Sequence, residues 1–447
     1  MNLQKILDKA VRIHEKASEG EKAAIFELVL HPVKATHTFI NLQVARSRNR
    51  LYARQRRSSA NKLAQDALKW FNADFDLGEE YHSLLNSKWR QMLRQTHLGY
   101  EDTWHAPSRD MIDGLAFVQL RQSSNPIVGQ MGVAVEGHEG VRPGRINEES
   151  ERTHPSRRDL LPGVTFGSIN RYGPTGRWFE IFSRGPQVIN WHASVSVEFV
   201  RLSSYSGVLV PGDDDVRVEV SVDWNAVPAD FHEQVRIDVR SREGDYEQLH
   251  LPLRGEVIPR GFVGYVEGGG CVSIPATGCD APPEYETMLD TGRLQTGSMA
   301  LSPLTSKHSD QASYLRYPCY VFTARSSVTL TLYFGMTLAP NPDDIPKYDL
   351  AIDEHEETTH TQYDIGPEAI AHSTEDGWPA ADGWFTAAGD NVWVKRHVIS
   401  RDILSPGAHE LKVRLHHTNM MLEKLVLDLG EVKESYLGPP ASCYLAN

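Results

Sequence analysis

The sequence has few cysteines and no long apolar run. Its 447 residues include four cysteines and no CxxC pair, so it indicates neither a structural zinc site nor a disulfide-dense scaffold. The four, Cys271, Cys279, Cys319 and Cys443, could form two disulfides or none. No window approaches about 18 uninterrupted apolar residues, and the N-terminus lacks the charged-then-apolar layout of a signal peptide. Neither a membrane span nor an export signal is predicted.

The chain also has fewer basic than acidic residues, 46 against 59. The formal net charge is −13 and the isoelectric point is about 5.8. An acidic surface repels phosphate backbones and anionic lipid, so we expect neither nucleic acid nor membrane as a partner. A hydrophobic fraction of 40% and a charged fraction of 23% are ordinary for a globular protein. The length alone suggests two to four domains.

The first part of the chain has helical periodicity. Apolar residues recur at spacings of three and four over residues 3–18, which predicts an amphipathic helix. A second stripe begins at Ile25, and Pro32 is expected to kink or split it. A third helix is predicted from a serine cap at position 58 or 59 to about Gly78. These stripes need apolar partners, so a small helical bundle is predicted.

Six arginines crowd the end of the second predicted helix. They are Arg46, Arg48, Arg50, Arg54, Arg56 and Arg57. Such a cluster could hold a carboxylate or phosphate through forked hydrogen bonds. A run of this kind is more often a solvated face balanced by nearby acids, here Glu79 and Glu80. We favour the structural interpretation.

Strand periodicity replaces helical periodicity in the second half. Apolar and polar residues alternate over 216–222, 235–239 and 249–253, which predicts strands with one buried face. The number and spacing of these runs are typical of an immunoglobulin-like sandwich. Further alternating runs follow toward the C-terminus, over residues 328–334, 348–352, 411–415 and 425–429, and predict a second, larger sandwich.

The predicted fold is therefore multidomain, α then β. An N-terminal helical bundle covers residues 1–110, and a connecting segment with a long polar loop covers 111–165. An immunoglobulin-like β-sandwich follows over 166–260, and a jelly-roll-like C-terminal β-sandwich over 261–447.

Two stretches rich in aromatic residues are the candidate binding sites. His97, Tyr100 and Trp104 lie in one short span that ends near a proline, where they could receive a sugar or simply cap a helix. Trp378 and Trp384 lie in a segment longer than structural connections usually are. Their rings could stack on sugar faces, or they could plug the end of the sandwich.

No catalytic, metal or cofactor residue is predicted. His355 and His360 are five residues apart instead of four and lie in loop or strand context, so they would not share a helical face as zinc-protease ligands do. The Gly268–Gly270 run is not followed by the Lys-Ser/Thr pair of a phosphate-binding loop.

Several specific motifs occur along the chain. They are Glu27-Leu-Val-Leu-His-Pro-Val-Lys34, Leu51-Tyr-Ala-Arg-Gln-Arg-Arg57, Gln95-Thr-His-Leu-Gly-Tyr100, Phe179-Glu-Ile-Phe-Ser-Arg-Gly185, Val220-Ser-Val-Asp-Trp224, Leu427-Asp-Leu-Gly430 and Ser435-Tyr-Leu-Gly-Pro-Pro440. In this order they resemble the C-terminal portion of glycoside hydrolase family 115, the xylan α-1,2-glucuronidases. The resemblance covers nearly the whole chain. It implies an extracellular accessory region whose partner is glucuronoxylan or a missing catalytic domain, with a homo-oligomer as a further option.

The resemblance also implies where the chemistry lies. In the family an N-terminal α/β domain and a barrel-like catalytic domain precede these domains, and the hydrolytic carboxylates belong to the barrel. No catalytic residue can therefore be carried onto this chain. Relatives tend to open the last domain with Gly-Tyr-Val-Ser-Ile-Glu-Ala-Glu, whereas this chain has Pro275 and Thr277 at the two acidic positions. Such acids often bind a structural calcium, so their loss puts that calcium in doubt.

Three functions remain open. The chain could be a non-catalytic accessory region of such an enzyme, or a free-standing carbohydrate-binding protein that uses the segment from Trp378 to Trp393. It could also be an active glucuronidase with its site near His97, and with Glu101 or Asp102 as the acid. Glu101 and Asp102 are adjacent, so their side chains would diverge, and this third hypothesis is disfavoured.

Overall fold

A computed structural model shows helices first and sheets afterwards, as the sequence predicts. It describes residues 3–99, 109–123, 130–136, 164–174, 176–293, 296–303, 312–337, 345–363, 384–400, 404–430, 432–433 and 435–446. The chain divides into two compact units. The first comprises Met1–Phe166, Trp178–Val220 and Arg236–His250, and the second comprises Gly167–Arg177, Ser221–Val235 and Leu251–Asn447.

Residues 3–99 contain four α-helices and one π-helical turn. They are α1 (Leu3–Glu15), α2 (Lys22–Ile25), the π turn (Phe26–Leu30), α3 (His31–Arg54) and α4 (Ala60–Ser87). One apolar cluster includes Ala10, Phe26, Leu30, Leu77 and Tyr81, and a second includes Leu42, Ala45 and Ala67. No helix in the described part of the chain combines the length and apolarity that crossing a membrane requires.

Pro32 changes the helix type instead of ending the helix. The backbone stays helical from α2 through α3, and the N–H of His31 donates to the carbonyl of Phe26, five residues back. A proline ring clashes with the carbonyl four residues before it and supplies no donor. A wider π turn just before Pro32 accommodates both effects.

The predicted end of the third helix at Gly78 is wrong. Helix α4 runs to Ser87, and its non-helical residues are Leu84, Leu85 and Asn86, the last two with φ of 51° and 56°. Leu77 and Tyr81 are both buried and lie four residues apart, so the apolar face continues past Gly78. The helix therefore ends where that face ends.

The first set of strands forms two sheets. The strands are β1 (Met131–Val135), β2 (Val164–Thr165), β3 (Ile169–Asn170), β4 (Arg177–Ser183), β5 (Ile189–Val195), β6 (Val200–Leu202), β7 (Ser206–Leu209), β8 (Val216–Val222), β9 (His232–Ser241) and β10 (Tyr246–Arg254). One sheet has the order β1-β4-β8-β6, and the other has the order β2-β10-β9-β5-β7 with β3 also paired to β10. The strands predicted from alternation correspond to β8, β9 and β10.

The second set of strands also forms two sheets. The strands are β11 (Gly264–Val266), β12 (Cys271–Pro275), β13 (Tyr285–Met288), β14 (Ser298–Leu301), β15 (Leu315–Val321), β16 (Ser327–Gly335), β17 (Lys347–Ile352), β18 (Thr358–Thr361), β19 (Val392–Ser400), β20 (Gly407–Leu415), β21 (Leu422–Asp428) and β22 (Tyr444–Leu445). Their orders are β18-β17-β20-β15-β11-β22 and β13-β14-β21-β16-β19, with β12 paired to β21. One apolar core contains residues of both sheets.

The long segment between β17 and β20 is not a plain connection. It contains β18, the short helix α5 (Trp384–Asp390) and β19. Trp393 lies on β19, is 4% exposed, and stacks on Tyr363 with ring centroids 5.1 Å apart. Trp393 is therefore a residue of the apolar core.

The arginine cluster is structural, but its partners are not those predicted. Arg57 is buried, and its Nη1 lies 2.6 Å from Glu180 Oε2 and 2.7 Å from Asp215 Oδ2. Its guanidinium also lies 3.8 Å from the ring centroid of Tyr52. Arg46 pairs with Asp113, whereas Glu79 and Glu80 pair with Arg94 and Lys34. Arg57 is thus part of the interior of the first unit and not of a solvated face.

None of the four cysteines forms a disulfide. Cys271 and Cys319 are buried, Cys279 is half-buried and Cys443 is exposed. Burial raises the pKa of the Cys319 thiol to about 12, so it stays protonated as a small apolar core group.

The Arg57→Met substitution tests the buried network. It leaves Glu180 and Asp215 without their shared cation, and we expect a loss of about 3–5 kcal/mol in the free energy of unfolding. Chemical denaturation measures it, with exposed Arg54→Met as the control. Adding Glu180→Gln and Asp215→Asn should recover part of the loss, and no recovery would show that packing, not charge, explains the effect.

His397 makes the C-terminal core sensitive to acid. Its Nε2 lies 2.8 Å from the Tyr348 hydroxyl, and its ring centroid lies 4.3 Å from that of His360. Burial, followed by the nearby His360 and Lys395, lowers the pKa of His397 to about 4. Between about pH 4 and pH 6.5 the unfolded chain therefore binds more protons at this histidine than the folded chain does. The contribution of neutral His397 to the free energy of unfolding is complete above about pH 6.5 and is lost as the pH falls toward 4.

We expect the His397→Gln variant to lose less unfolding free energy on acidification than the parent chain. Denaturant unfolding at pH 7, 5.5 and 4.5 should show a smaller loss in the variant than in the parent chain. Exposed His355→Gln is the control. Equal losses in the parent and in His397→Gln would contradict the assignment.

Candidate functional site

A groove of about 630 Å³ lies along α4 in the first unit. One wall is a face of α4 that carries Phe71, Asp74, Phe75 and Gly78, which are spaced three and four residues apart. The opposite wall comes from residues 93–97 and 109–110, which follow α4 in the chain. Gly78 adds no side chain to the groove, and a Cβ there would meet nothing within 4 Å.

His97 is held in the groove from two sides. Its Nδ1 lies 2.9 Å from Asp74 Oδ2 on α4. Its backbone N–H and that of Leu98 both donate to Asp110 Oδ1, at 2.7 and 2.9 Å. The imidazole is therefore fixed before any ligand arrives.

An exposed aromatic ring and a guanidinium flank His97. The Phe75 side chain is 56% exposed, and the guanidinium of Arg94 lies 5.5 Å from its ring centroid. Arg94 also pairs with Glu79, and Arg109 lines the groove nearby. An open ring face beside charged groups suits the apolar C–H face and the polar edge of a pyranose.

Buried groups support the wall opposite α4. The backbone N–H of Leu93 donates to His82 Nε2 at 3.0 Å, and His82 Nδ1 lies 3.3 Å from Glu79 Oε1. His82 is itself buried. This wall is thus anchored to α4, and the groove is preformed.

Three of the described residues that line the groove are carboxylates, Asp74, Asp76 and Asp110. Glycoside hydrolysis needs one carboxylic acid and one carboxylate across the scissile bond. Asp74 is paired with His97, and Asp110 accepts two backbone N–H groups. Asp74 and Asp110 thus position the wall that carries His97.

Of the predicted site residues, the structure places His97 in the groove. Tyr100, Trp104 and Trp378 lie outside the described residues, as do Glu101 and Asp102. Trp384 is the first residue of α5. The prediction missed Phe75, although its spacing of four from Phe71 on one helix was a readable signal.

Residues 264–441 match the family model of the glycosyl hydrolase family 115 C-terminal domain. The segment is a family 115 C-terminal domain. The resemblance predicted from the sequence motifs is confirmed there. The comparison with curated protein sequences gives no match.

Solved structures similar to the chain include carbohydrate-active proteins. A family 115 4-O-methyl-α-glucuronidase with specificity for decorated arabinogalactans is 10% identical, with a TM-score of 0.40, over 95% of this chain and 33% of its own. A carbohydrate-binding module of Cellvibrio mixtus lichenase 5A, solved with cellotriose, is 14% identical, with a TM-score of 0.21, over 35% of this chain and 95% of its own. The chain thus spans about a third of the family 115 structure.

The residues of the family 115 C-terminal domain do not fit a calcium ion at the altered motif. Pro275 lies on β12 directly opposite Lys424 on β21, so the two side chains share a face. Lys424 Nζ donates to the carbonyls of Leu437 and Pro439. Thr277 uses its hydroxyl to donate to the carbonyl of Thr296 at 3.1 Å. With no carboxylate at positions 275 and 277 and an ammonium directly across from Pro275, these residues do not suit a divalent cation.

His355 and His360 are not arranged as zinc-protease ligands. His360 lies on β18 and His355 in the turn before it, so they share no helix. In the described ranges, no group of three or more His, Cys, Asp or Glu side chains could hold a metal ion.

The Asp110→Ala substitution tests how the groove is held. It removes the acceptor of two backbone N–H groups, and we expect the amides of His97 and Leu98 to exchange with solvent about tenfold faster. Hydrogen exchange measures this, with exposed Asp76→Ala as the control. Unchanged protection at both amides would contradict the anchoring role of Asp110.

Proposed function

We propose that this chain forms accessory domains of a family 115-type glucuronoxylan α-glucuronidase and binds the polysaccharide without hydrolysing it. The observation that carries the proposal is the match of residues 264–441 to the family 115 C-terminal domain. The groove beside α4 supplies a surface on which a sugar chain can lie. An extracellular location follows from the polymeric plant substrate of the family.

The chemistry of the groove supports a sugar as the ligand. Phe75 offers a ring face for the pyranose, and Arg109 offers donors to its polar edge. Arg94 is already paired with Glu79, and Asp74, Asp76 and Asp110 line the same groove and can accept from sugar hydroxyls. The volume of about 630 Å³ lies within the range of small-molecule sites, about 300–1,000 Å³. The structure named for decorated arabinogalactans makes that polymer the natural comparison ligand.

The finer architecture belongs to the same proposal. We assign residues 1–110 to a helical bundle and 166–260 to an immunoglobulin-like sandwich. Residues 111–165, which the sequence predicts as a connecting segment, contribute β1 and β2 to the two sheets of that sandwich. We assign 261–447 to a jelly-roll-like sandwich. The alternating strands and the shared core of the last two sheets support these assignments.

The Phe75→Ala substitution tests binding in the groove. Loss of the ring face should weaken binding to glucuronoxylan about 3- to 10-fold, because stacking on an aromatic face is worth about 0.5–1.5 kcal/mol beyond the buried area. Phe39→Ala on α3 is the matched control, since Phe39 is 50% exposed but lies outside the groove. Isothermal titration with glucuronoxylan and with arabinogalactan gives both affinities.

Two results would overturn the proposal. Equal effects of Phe75→Ala and Phe39→Ala would remove the groove as the binding surface. Absence of binding to either polysaccharide by the folded parent chain would leave docking on a catalytic domain as its role.

A further inference from the structure

Basic side chains gather on the outer face of one sheet in the second unit. Leu330, Leu332 and Phe334 of β16 face the core, so Thr331 and Tyr333 face outward. Arg396 on β19 lies opposite Thr331, and Lys424 on β21 lies opposite Tyr333. Directly opposed residues share a face, so both cations lie on the outer face. Such a cluster is unexpected in a chain with a net charge of −13.

Arg293 adds a guanidinium held between two phenol rings. It lies 4.3 Å from the ring centroid of Tyr436 and 5.9 Å from that of Tyr333. The Tyr436 side chain is 57% exposed, and its hydroxyl donates to the carbonyl of Asp390 at the end of α5, at 3.1 Å. Lys424 donates to the carbonyls of Leu437 and Pro439, next to Tyr436 in the chain. The ring and the guanidinium are thus both positioned.

The loop that carries Arg293 is held by Glu423. The backbone N–H of Arg293 donates to Oε2 of the buried Glu423 at 3.2 Å. Gly292 has a φ of 75°, and a Cβ there would lie 2.2 Å from Glu423 Oε1, so no other residue fits. Burial raises the pKa of Glu423, which favours its neutral form and weakens its opposition to an anion above it.

The guanidinium groups of Arg293 and Arg396 are available to a ligand. Among the residues that the structure describes, neither forms an ion pair within 4 Å, although Arg293 interacts electrostatically with the Glu423 carboxyl group. Arg396 is exposed, and Arg293 is half-buried beside the exposed ring of Tyr436. A guanidinium presents a planar fork of donors that matches a carboxylate, while the ring beside it matches the C–H face of a pyranose.

We propose that Arg293, Arg396 and Tyr436 form a second binding site, specific for a uronic acid residue of an acidic polysaccharide. Arg293 binds the carboxylate, Tyr436 stacks on the sugar ring, and Arg396 adds charge from the neighbouring strand. This inference rests on the proposed carbohydrate role of the family 115 C-terminal domain, but it is independent of the groove on α4.

The test separates the carboxylate from the rest of the sugar. The full chain carrying Phe75→Ala is titrated with a xylooligosaccharide that bears one glucuronic acid branch, and with the same compound after reduction of its carboxyl group. Arg293→Gln should weaken binding of the acidic compound at least tenfold and leave binding of the reduced compound unchanged. Arg293→Lys, which keeps the charge but loses the fork, should retain part of the affinity.

Two further variants complete the test. Exposed Arg260→Gln is the matched control and should change neither affinity. Arg396→Gln should also weaken binding of the acidic compound. This variant still tests the site if Arg293→Gln lowers the thermal midpoint of unfolding.

Equal affinities of the Phe75→Ala chain for the acidic and reduced compounds would overturn the proposal. Unchanged binding of the acidic compound in both arginine variants would also overturn it. A sulfated oligosaccharide that binds more tightly than the uronate would also overturn it, because the site would then select sulfate. The groove is tested by Phe75→Ala alone, so either site can fail without the other.

Discussion

The first unit depends on one buried cation. Arg57 is 2% exposed and donates to Glu180 on β4 and to Asp215 just before β8. A buried guanidinium is tolerated only with such partners, because its desolvation is otherwise too costly. The backbone N–H of Ser58 donates to the carbonyl of Ser183 at 2.8 Å beside it. The corner between α3 and α4 is thus tied to the strands, and α4 carries one wall of the groove.

Local patterns explain what the sequence predicts well. Period-two alternation marks β8, β9 and β10, because in each of them one face is buried and the other is more exposed. The alternating apolar residues also mark β16, β17 and β20, although β17 is buried on both faces from Tyr348 onward. The helical stripe that begins at residue 3 correctly predicts α1, because its apolar residues pack into one cluster that includes Ala10. The stop at Gly78 fails because Leu77 and Tyr81 extend the buried face past the glycine, and tertiary burial outweighs the local signal.

Long-range partners explain what the sequence does not predict. The arginine run near position 57 points to nearby acids, yet Arg57 finds its partners more than a hundred residues away. Aromatic density points to His97, whereas its partners Asp74 and Asp110 depend on how α4 and the later segment pack. The cluster around Arg293 needs the register of three strands and the path of the C-terminal segment, and no single stretch of sequence contains it.

The central claim is that these domains bind an acidic xylan and leave its bonds intact. The most direct measurement incubates the purified 447-residue chain with glucuronoxylan and assays both retention on the polymer and release of glucuronic or 4-O-methylglucuronic acid. A heat-denatured sample sets the background. We predict retention of the chain with release no higher than that background. Release above it by the folded chain would place an active site on these domains and contradict the account.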